Sequence, residues 1–475
     1  MNTLESGPPQ QAAGPLAWAE NNYVTRVFGH PSEVATAHWQ ALLAAEQTQG
    51  RMPQPFATPD YWAALHDSGS ATPETGWQLQ LLTLWREPPA HDMESTTVAA
   101  LTPAPHLTPS TPCSPIAPSP PAGAELLGAC ALYIKAHSYG EYVFDWAWAD
   151  AHARHGLPYY PKGLVAVPFT PVPGPRLLAV DSTARAALMS GLLRWSQALH
   201  LSSLHLLFAH EEDLATAQAA GLMLRHTVQF HWHNAHAAEG GRAYTSFEEF
   251  LACLSQDKRK KIRQERRKVA DAGVRFVHRH GHDITPADWD FFYACYERTY
   301  LEHGNAPYLT RDFFHRMAQD MAEHWLMCLA HRADGTPIAC SLIALSACPS
   351  SVKRQKDINN APGIAYGRYW GALQRVDCLH FEACYYQPME WCIAHGYARF
   401  EGGAQGEHKM ARALLPVRTS SAHWLAHPAF ADAVDRYLAR EGQGIGAYLE
   451  NLHERTPFRA PVGAPRGDAP TAGWP

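Results

Sequence analysis

The chain has 475 residues, of which 46% are hydrophobic and 18% are charged. This balance is typical of a globular protein, and the length predicts two domains rather than one. Its 39 basic and 45 acidic side chains give a formal charge of −6. Because DNA-binding proteins carry a surplus of basic side chains, we expect no DNA partner for the chain as a whole.

The ten cysteines include no CxxC pair, and several lie in apolar stretches, as Cys130 and Cys340 do. That usage is typical of core thiols in a reducing compartment. The sequence shows neither a signal peptide nor an apolar run long enough for a bilayer, so we expect a cytoplasmic protein without membrane insertion. Among the 28 histidines, His231 and His233 would share a strand face but lack a third ligand nearby, so we expect no metal site.

Residues 1–20 and 456–475 are rich in proline, glycine and alanine, which predicts disorder. The segment between them begins with alternating strands and helices. Strands are predicted at 23–28, 77–85, 125–136, 163–169, 203–208 and 222–232, and helices at 30–47, 59–68, 182–200 and 211–219. Ten prolines fall between positions 88 and 121, where neither a helix nor a central strand can form. We interpret 88–121 as an exposed inserted loop.

A polar stretch at 234–242 interrupts the alternation, and we place a domain boundary there. Strands are then predicted at 274–279, 325–332, 337–346, 364–372 and 397–402, and helices at 246–254, 257–272, 286–300 and 378–395. Residues 348–363 form a second polar insertion. The similar order in both halves suggests an internal duplication, although no sequence repeat is visible. The predicted fold is mixed α/β, with domains over 21–235 and 243–455.

Several strings of the sequence are similar to one bacterial family. They are HSYGEYVFDWAWAD (137–150), YYPKGLVAVPFTPVPGPRLL (159–178), KRKKIRQERRKV (258–269), FYACYERTYLEHG (292–304), YGRYWG (366–371), LHFEACYYQPMEWCIAHG (379–396) and FEGGAQGEHKMAR (400–412). The chain resembles the FemAB-like N-acyltransferases of the GNAT superfamily, a group named for peptidoglycan biosynthesis. The resemblance implies two GNAT-like domains and transfer of an acyl group to the amine of a small molecule or peptide.

The resemblance leaves the acyl donor open. Ordinary GNAT enzymes use acyl-coenzyme A, which we expect as cosubstrate without a tightly bound cofactor, whereas Fem-type relatives use aminoacyl-tRNA and a cell-wall precursor. GNAT enzymes usually hold the pyrophosphate with a Q/R-x-x-G-x-G/A turn, but residues 374–379 read QRVDCL, without the glycines. Asp377 is also a good N-cap that would occupy the amides a phosphate needs. This departure keeps the tRNA-dependent alternative open, although it is not the favoured one.

Helical spacing places Glu382 on one apolar stripe with Leu379, Tyr386, Met389 and Ile393, which we expect to face the sheet. Desolvation raises the pKa of a carboxyl, so Glu382 is the first candidate for a catalytic base. A structural glutamate bonded to its neighbours is the equal alternative. Tyr386 is a substrate-binding candidate on the same stripe.

The string 400–412 combines acid, imidazole and amine side chains with glycines, which is typical of a site floor at the end of a strand. Glu401, Glu407 and His408 are further catalytic candidates there. The substrate-binding candidates in this string are Gln405, Lys409 and Arg412. A polar turn without function is the alternative.

Two aromatic strings are candidate pocket walls, or else core with charged groups at its rim. The first contains His137, Tyr139, Glu141, Tyr142, Asp145 and Trp146. In the second, strand alternation places Tyr366, Arg368 and Trp370 on one face.

Residues 257–268 carry eight basic and two acidic side chains, a local charge of +6. Arg259, Lys260, Arg263 and Arg267 are candidate ligands for the phosphates of a donor, although a charge run is usually a solvated helix face. We therefore expect an acyltransferase with its site in a cleft between the domains. The alternative from another class is a ligand-binding module without catalysis.

Overall fold

The computed structural model describes residues 23–50, 54–88, 120, 122–236, 240–346, 363–403 and 406–459. Its main feature is one sheet of thirteen strands that runs through both halves of the chain. Helices cover the faces of this sheet, so several of its strands are apolar along most of their length. The strand WQLQLLTLWR at 77–86, for example, is buried at eight of its ten positions.

The first half contains seven strands and five helices. They are β1 (Tyr23–Phe28), α1 (Thr36–Thr48), α2 (Pro59–Asp67), β2 (Trp77–Arg86), β3 (Glu125–Lys135), α3 (Trp146–Arg154), β4 (Lys162–Val165), β5 (Leu178–Ala179), α4 (Ser182–Ala198), β6 (Ser203–Leu206), α5 (Glu211–Ala219) and β7 (Met223–His233).

The second half follows the same plan with a longer final helix. Its elements are α6 (Phe247–Cys253), α7 (Gln256–Asp271), β8 (Arg275–His280), α8 (Pro286–Glu302), α9 (Arg311–Asp320), β9 (Trp325–His331), β10 (Pro337–Leu345), β11 (Ile364–Ala372), α10 (Leu379–Phe381), α11 (Gln387–His395), β12 (Arg399–Glu401), β13 (Leu415–Leu425) and α12 (Pro428–Glu454). A π-helical turn, Glu382–Tyr386, joins α10 to α11.

The pairing of the strands repeats between the halves. In the first half β1, β2, β3 and β4 pair antiparallel in turn, and β4 pairs parallel with β6. In the second half β8, β9, β10 and β11 pair antiparallel in turn, and β11 pairs parallel with β12. The mixed α/β class and the similar plan of both halves are therefore confirmed.

The last strand of each half is exchanged. β7 follows β6 in sequence but pairs with β12 of the second half, and β13 pairs with β6 of the first half. The two exchanged strands also pair with each other, from Leu415 opposite His231 to His423 opposite Met223. The exchange produces the strand order β1-β2-β3-β4-β6-β13-β7-β12-β11-β10-β9-β8, with β5 beside β3.

The exchange joins the two predicted domains through one sheet. We placed a domain boundary at 234–242, and the hydrogen bonds of the sheet continue from one half to the other. The main core also spans both halves, since it includes Trp39 and Tyr61 as well as Trp289 and Phe313. The exact limits 21–235 and 243–455 remain predictions.

Most predicted elements are present within a few residues of their expected bounds, but α3, β5, α9, β13 and α12 were missed. The predicted disordered tail is wrong at its start, because Phe458 pairs with Leu254 and packs against the core. Residues 1–20, most of 88–121, most of 348–363 and the tail after 459 lie outside the described residues. None of the described helices combines the length and apolar character that a bilayer span requires.

We predict that neither half folds alone. A fragment of residues 23–236 lacks β13, so the pairing edges of β6 and β7 are left open and their apolar side chains are exposed. It should be insoluble or unfolded by circular dichroism, whereas coexpression with residues 240–459 should yield a soluble complex. A soluble, cooperatively unfolding first half would contradict this prediction.

Candidate functional site

The candidate site lies where two parallel strands separate. β11 and β12 pair at only three positions, of which Tyr366 opposite Glu401 is the last. β12 then ends, while β11 continues to Ala372. Ligands of open α/β sheets bind beyond the carboxyl ends of parallel strands, so we expect a functional site at this separation.

Glu401 is a buried carboxylate whose closest partner among the described residues is an arginine. Its side chain is 3% exposed. Arg399 Nη2 lies 2.9 Å from Oε1 as an ion pair, and His231 Nε2 lies 3.9 Å from Oε2. Burial raises the pKa of Glu401 from 4.5 to about 7, against the opposing effect of Arg399. This pKa suits a group that exchanges protons near neutrality.

The first half supplies polar neighbours of Glu401. His231 on β7 is its direct cross-strand partner, and burial lowers the pKa of His231 well below 6.5, so the ring is neutral. Gln229 Oε1 lies 3.3 Å from His231 Nε2, and Gln229 Nε2 donates to Pro171 O at 2.8 Å. Gln54 Nε2 donates to Tyr366 OH at 3.4 Å. The site is therefore assembled from both halves.

A β-bulge at Arg368 ties the same region to the loop that follows β4. Leu342 is opposite Tyr369 and Ile343 is opposite Gly367, so Arg368 is the extra residue. Its Nη2 donates to Phe169 O and Thr170 Oγ1, both at 3.0 Å. The bulge thus links the end of the β11–β12 pairing in the second half to the loop after β4 in the first half.

The bulge also corrects the predicted face of β11. Strand alternation placed Tyr366, Arg368 and Trp370 together, and the first two do lie near the Phe56 ring. Trp370 instead packs with His380, because the extra residue shifts the alternation by one. Trp370 therefore lies apart from the polar site.

The first half has an equivalent strand separation without a carboxylate. β4 and β6 pair in parallel from Gly163 opposite Leu204 to Val165 opposite Leu206. The side chains at its end, Leu206 and Leu207, are buried and apolar. Of the two separations, only that of the second half carries an ionisable group at this position.

The predicted polar turn divides into groups with different surroundings. Lys409 is buried near the end of β12, where its Nζ donates to Gly403 O at 3.1 Å and burial lowers its pKa to about 8. Arg412 Nη2 binds Glu265 of α7 at 2.9 and 3.0 Å. His408 is exposed, with Nε2 3.3 Å from Tyr385 OH. Of these described groups, only Lys409 lies near Glu401. Gln405 lies outside the described residues.

Glu407 faces away from the strand separation. Its Oε1 accepts hydrogen bonds from Tyr448 OH at 2.8 Å and Arg455 Nη2 at 3.1 Å, both on or just after α12. The same two partners lower the pKa of this exposed carboxyl. Glu407 is therefore a surface contact of α12 and a useful comparison for Glu401.

Glu382 is buried as predicted, and its hydrogen-bond partners lie on α7 and α11. Arg266 Nε donates to its two oxygens at 3.1 and 3.2 Å, and Gln387 Nε2 donates to Oε1 at 2.6 Å. Tyr386, on the same face, donates to Glu265 of α7. An arginine from a neighbouring helix satisfies this buried carboxylate. This environment favours the structural alternative.

A cavity of about 330 Å³ adjoins this contact. Its lining includes Arg266, Arg267, Glu382 and Gln387, but not Glu401. Of the predicted phosphate ligands on α7, Lys260, Arg263 and Arg267 are exposed and Arg259 is partly buried. Arg263 Nη2 also donates to Glu248 at 2.6 Å. The basic side chains form a solvated face, and their role in phosphate binding stays a prediction.

The aromatic string at 137–148 does not form one pocket. Glu141 and Asp145 point inward and bind the fully buried Lys162. His137 Nε2 lies 3.0 Å from Thr75 O. Tyr139 and Trp146 are exposed, at 59% and 43%, and contact each other at 5.2 Å between ring centroids. Glu141 and Asp145 thus bind a core lysine, while the rings of Tyr139 and Trp146 face solvent.

Tyr142 differs from the rest of that string. It adopts a left-handed backbone conformation, with φ of 63°, and is partly buried. Arg368 and Tyr300 influence the pKa of its hydroxyl, which burial raises. Tyr142 is therefore the one described candidate of this string that lies beside the Arg368 bulge.

A family model matches residues 30–460 of the chain. Its description is FemAB-like, peptidoglycan biosynthesis/recognition. The chain belongs to the FemAB-like family. No curated protein shows significant similarity to it.

Solved structures resemble the FemAB-like chain only distantly. Saccharomyces cerevisiae N-myristoyltransferase with bound myristoyl-CoA shares 9% identity over 90% of this chain and 89% of its own, with a TM-score of 0.40. The L-PGS of Bacillus licheniformis shares 10% identity over 66% and 86%, with a TM-score of 0.40. A probable N-acyltransferase from Enterococcus faecalis V583 shares 8% over 85% and 72%, with a TM-score of 0.32. Likeness at this level carries no argument about chemistry.

Sequence reasoning missed the polar groups that the first half of the FemAB-like chain contributes. Gln54, Thr170 and Gln229 were not candidates, and His231 was considered only as a metal ligand. A signal was present in β7, where Gln229 and His231 alternate with the apolar Phe230 and Trp232. Polar side chains on one face of an otherwise buried strand indicate a polar interior site.

We predict that Glu401→Gln changes the pH dependence of stability. A folded-state pKa of about 7 against 4.5 unfolded means that the native chain binds more protons between these values, so parent stability falls as pH rises through this window. The variant lacks this loss. Its unfolding free energy relative to the parent should rise by about 2 kcal/mol between pH 5 and pH 8.

Denaturant unfolding at both pH values measures this difference. Glu407→Gln is the control, because the pKa of that exposed carboxyl is lowered and its replacement should give no such rise. A Glu401→Gln difference that is the same at pH 5 and pH 8 would contradict the assigned environment.

Proposed function

We propose that this FemAB-like protein transfers an acyl group from an activated donor to an amine, with Glu401 as the base. The observation that carries the proposal is the buried Glu401 carboxylate, with a pKa of about 7, at the separation of two parallel strands. Membership of a family described by peptidoglycan biosynthesis/recognition supports an acyl or aminoacyl transferase.

The chemistry requires a proton acceptor at this place. An amine near neutral pH is mostly protonated, and only its free lone pair attacks an acyl carbonyl. Glu401 would take the ammonium proton before attack. The free amine then forms the nitrogen–carbon bond while the bond from the acyl carbon to the donor's leaving group breaks, and the second proton that the nitrogen loses goes to the leaving thiolate or alkoxide. The neutral His231 and the polar Gln229 would border the amine.

Acyl-coenzyme A is the favoured donor, and aminoacyl-tRNA is the second candidate. Both carry phosphates, and the exposed basic side chains of α7 favour a phosphate-bearing ligand of either kind. A third possibility is a ligand-binding module without catalysis. The ion pair between Arg266 and Glu382 favours this possibility. The two experiments below separate these alternatives.

We predict that Glu401→Gln lowers the transfer rate about 100-fold or more, the usual effect of losing a general base. A small-molecule extract supplies amine acceptors, and a panel of acyl-coenzyme A esters supplies donors. Transfer is measured as an increase in amine mass by the acyl group, together with release of free thiol. The parent rate should rise with pH through about 7, since the ionised carboxylate is the base.

Two variants give this experiment its controls. Glu407→Gln should keep the parent rate, because Glu407 contacts only α12 among the described residues. Glu382→Gln tests the other candidate base. A large loss of activity in Glu382→Gln, with full activity in Glu401→Gln, would identify Glu382 as the base. Full activity in both variants would leave catalysis to positioning alone and reject a protein base.

We predict that the charge of α7 contributes to donor binding. Replacing Arg259, Lys260 and Arg263 with Gln should weaken binding of coenzyme A at low salt, and the loss should shrink at high salt through screening. Isothermal titration calorimetry measures both. A variant with Arg332, Arg436 and Arg440 replaced removes equal charge from other exposed positions.

The control variant should bind coenzyme A as the parent does. Equal affinity of the α7 variant and the parent at low salt would reject the role of this helix. A different result would favour the tRNA-dependent alternative: neither the parent nor the α7 variant binds coenzyme A, and the parent binds aminoacyl-tRNA in a salt-dependent manner.

A further inference from the structure

Two histidines and an aspartate meet on the surface of the first half, away from the strand separation. His30 follows β1, while His66 and Asp67 end α2. Their side chains converge from positions 36 residues apart in sequence, so no short sequence motif indicated this group. Among the described residues this is the one group of three whose ligand atoms all lie within 4.8 Å of one another.

The distances in this group match those between the ligands of a tetrahedral metal ion. His30 Nε2 lies 3.0 Å and His66 Nδ1 3.6 Å from Asp67 Oδ1. Ligands that bind zinc at about 2.0–2.1 Å in a tetrahedron stand roughly 3.3 Å apart, between these two values. All three atoms lie within 4.8 Å of one another, so rotation of the side chains could bring them into contact with one ion.

The two imidazole nitrogens have no hydrogen-bond partner among the described residues. His30 Nε2 and His66 Nδ1 are both inaccessible to water and both point toward the same carboxylate oxygen. The rings lie 5.0 Å apart at an angle of 62°. Without a metal, the group is only a pair of imidazole–carboxylate contacts with imperfect geometry.

Neighbouring groups hold two of the three ligands in place. Ser32 Oγ lies 2.7 Å from His30 Nδ1 and can accept its proton, which frees Nε2 for a metal. In the metal-free tautomer the same Nδ1 accepts from Ser32 N at 3.2 Å instead. Arg316 Nη1, on α9, donates to Asp67 Oδ2 at 3.1 Å and leaves Oδ1 facing the imidazoles. Such outer contacts are typical of metal-binding side chains.

We propose that His30, His66 and Asp67 bind one Zn²⁺ ion, with water at the fourth position. Imidazole nitrogen and carboxylate oxygen are common zinc ligands, and three protein ligands leave a zinc site open. Through Arg316 the ion would also strengthen the contact between α2 of the first half and α9 of the second. The inference reverses the expectation from sequence that the chain has no metal site.

Zinc titration of chelator-treated full-length protein tests the proposal. The parent should bind one more equivalent of Zn²⁺ than His66→Ala, and Asp67→Asn should bind that equivalent at least tenfold more weakly. The other histidines and the ten cysteines supply background sites, so the difference between parent and variant is the measured quantity. His282→Ala is the matched control, since His282 lies 4.0 Å from one carboxylate, that of Glu323, without a third ligand among the described residues.

X-ray absorption at the zinc edge provides a second readout. Nitrogen and oxygen ligands at about 2.0–2.2 Å would support the site, whereas sulfur at about 2.3 Å would place the ion on cysteines and overturn the proposal. Equal zinc stoichiometry and affinity in the parent, His66→Ala and Asp67→Asn would overturn it as well. Circular dichroism of the metal-free variants checks that each retains the parent fold.

Discussion

The exchange of β7 and β13 is the constraint on which the rest of this structure depends. Each half provides the strand that completes the other, so thirteen strands form one sheet and the halves cannot be separated without breaking it. The exchange also places His231 of β7 directly opposite Glu401 of β12. A carboxylate of the second half thus has an imidazole of the first half as its cross-strand neighbour.

The two halves share a plan but differ in how they treat buried charge. In the first half, the buried Lys162 is bound by Glu141, Asp145 and Ser138, so its charge is compensated where it lies. In the second half, Glu401 has a single partly exposed arginine as its close charged partner. Compensated charges are typical of structure, whereas an under-compensated carboxylate is typical of a site that reacts.

Much of the fold was predictable because local signals are strong in this sequence. Proline-free apolar runs indicated nearly every strand of the first half, and the apolar stripe at 379–393 indicated a buried helix face. The exchange of β7 and β13 was not predictable, since strand periodicity says nothing about which distant strand is the partner. The same limit explains Glu382: the pattern gave its burial correctly, but Arg266 lies 116 residues away in sequence.

The candidate site was predictable only in part for the same reason. Glu401 was included because it ends a strand beside glycines, yet its surroundings come from positions 54, 170, 229 and 231. A β-bulge, which inserts a single residue, was enough to move Trp370 away from Arg368. Local periodicity cannot reveal such an insertion, because the residues on both sides of it still alternate.

The exchanged strands also set the order in which a growing chain can reach its final structure. When β7 leaves the ribosome, both of its partners, β12 and β13, have yet to be synthesised, and β6 must wait for β13 as well. More than 160 residues therefore separate β7 from the start of its first partner. Until then the first half has two unsatisfied strand edges, which expose the nascent chain to aggregation while these intervening residues are synthesised.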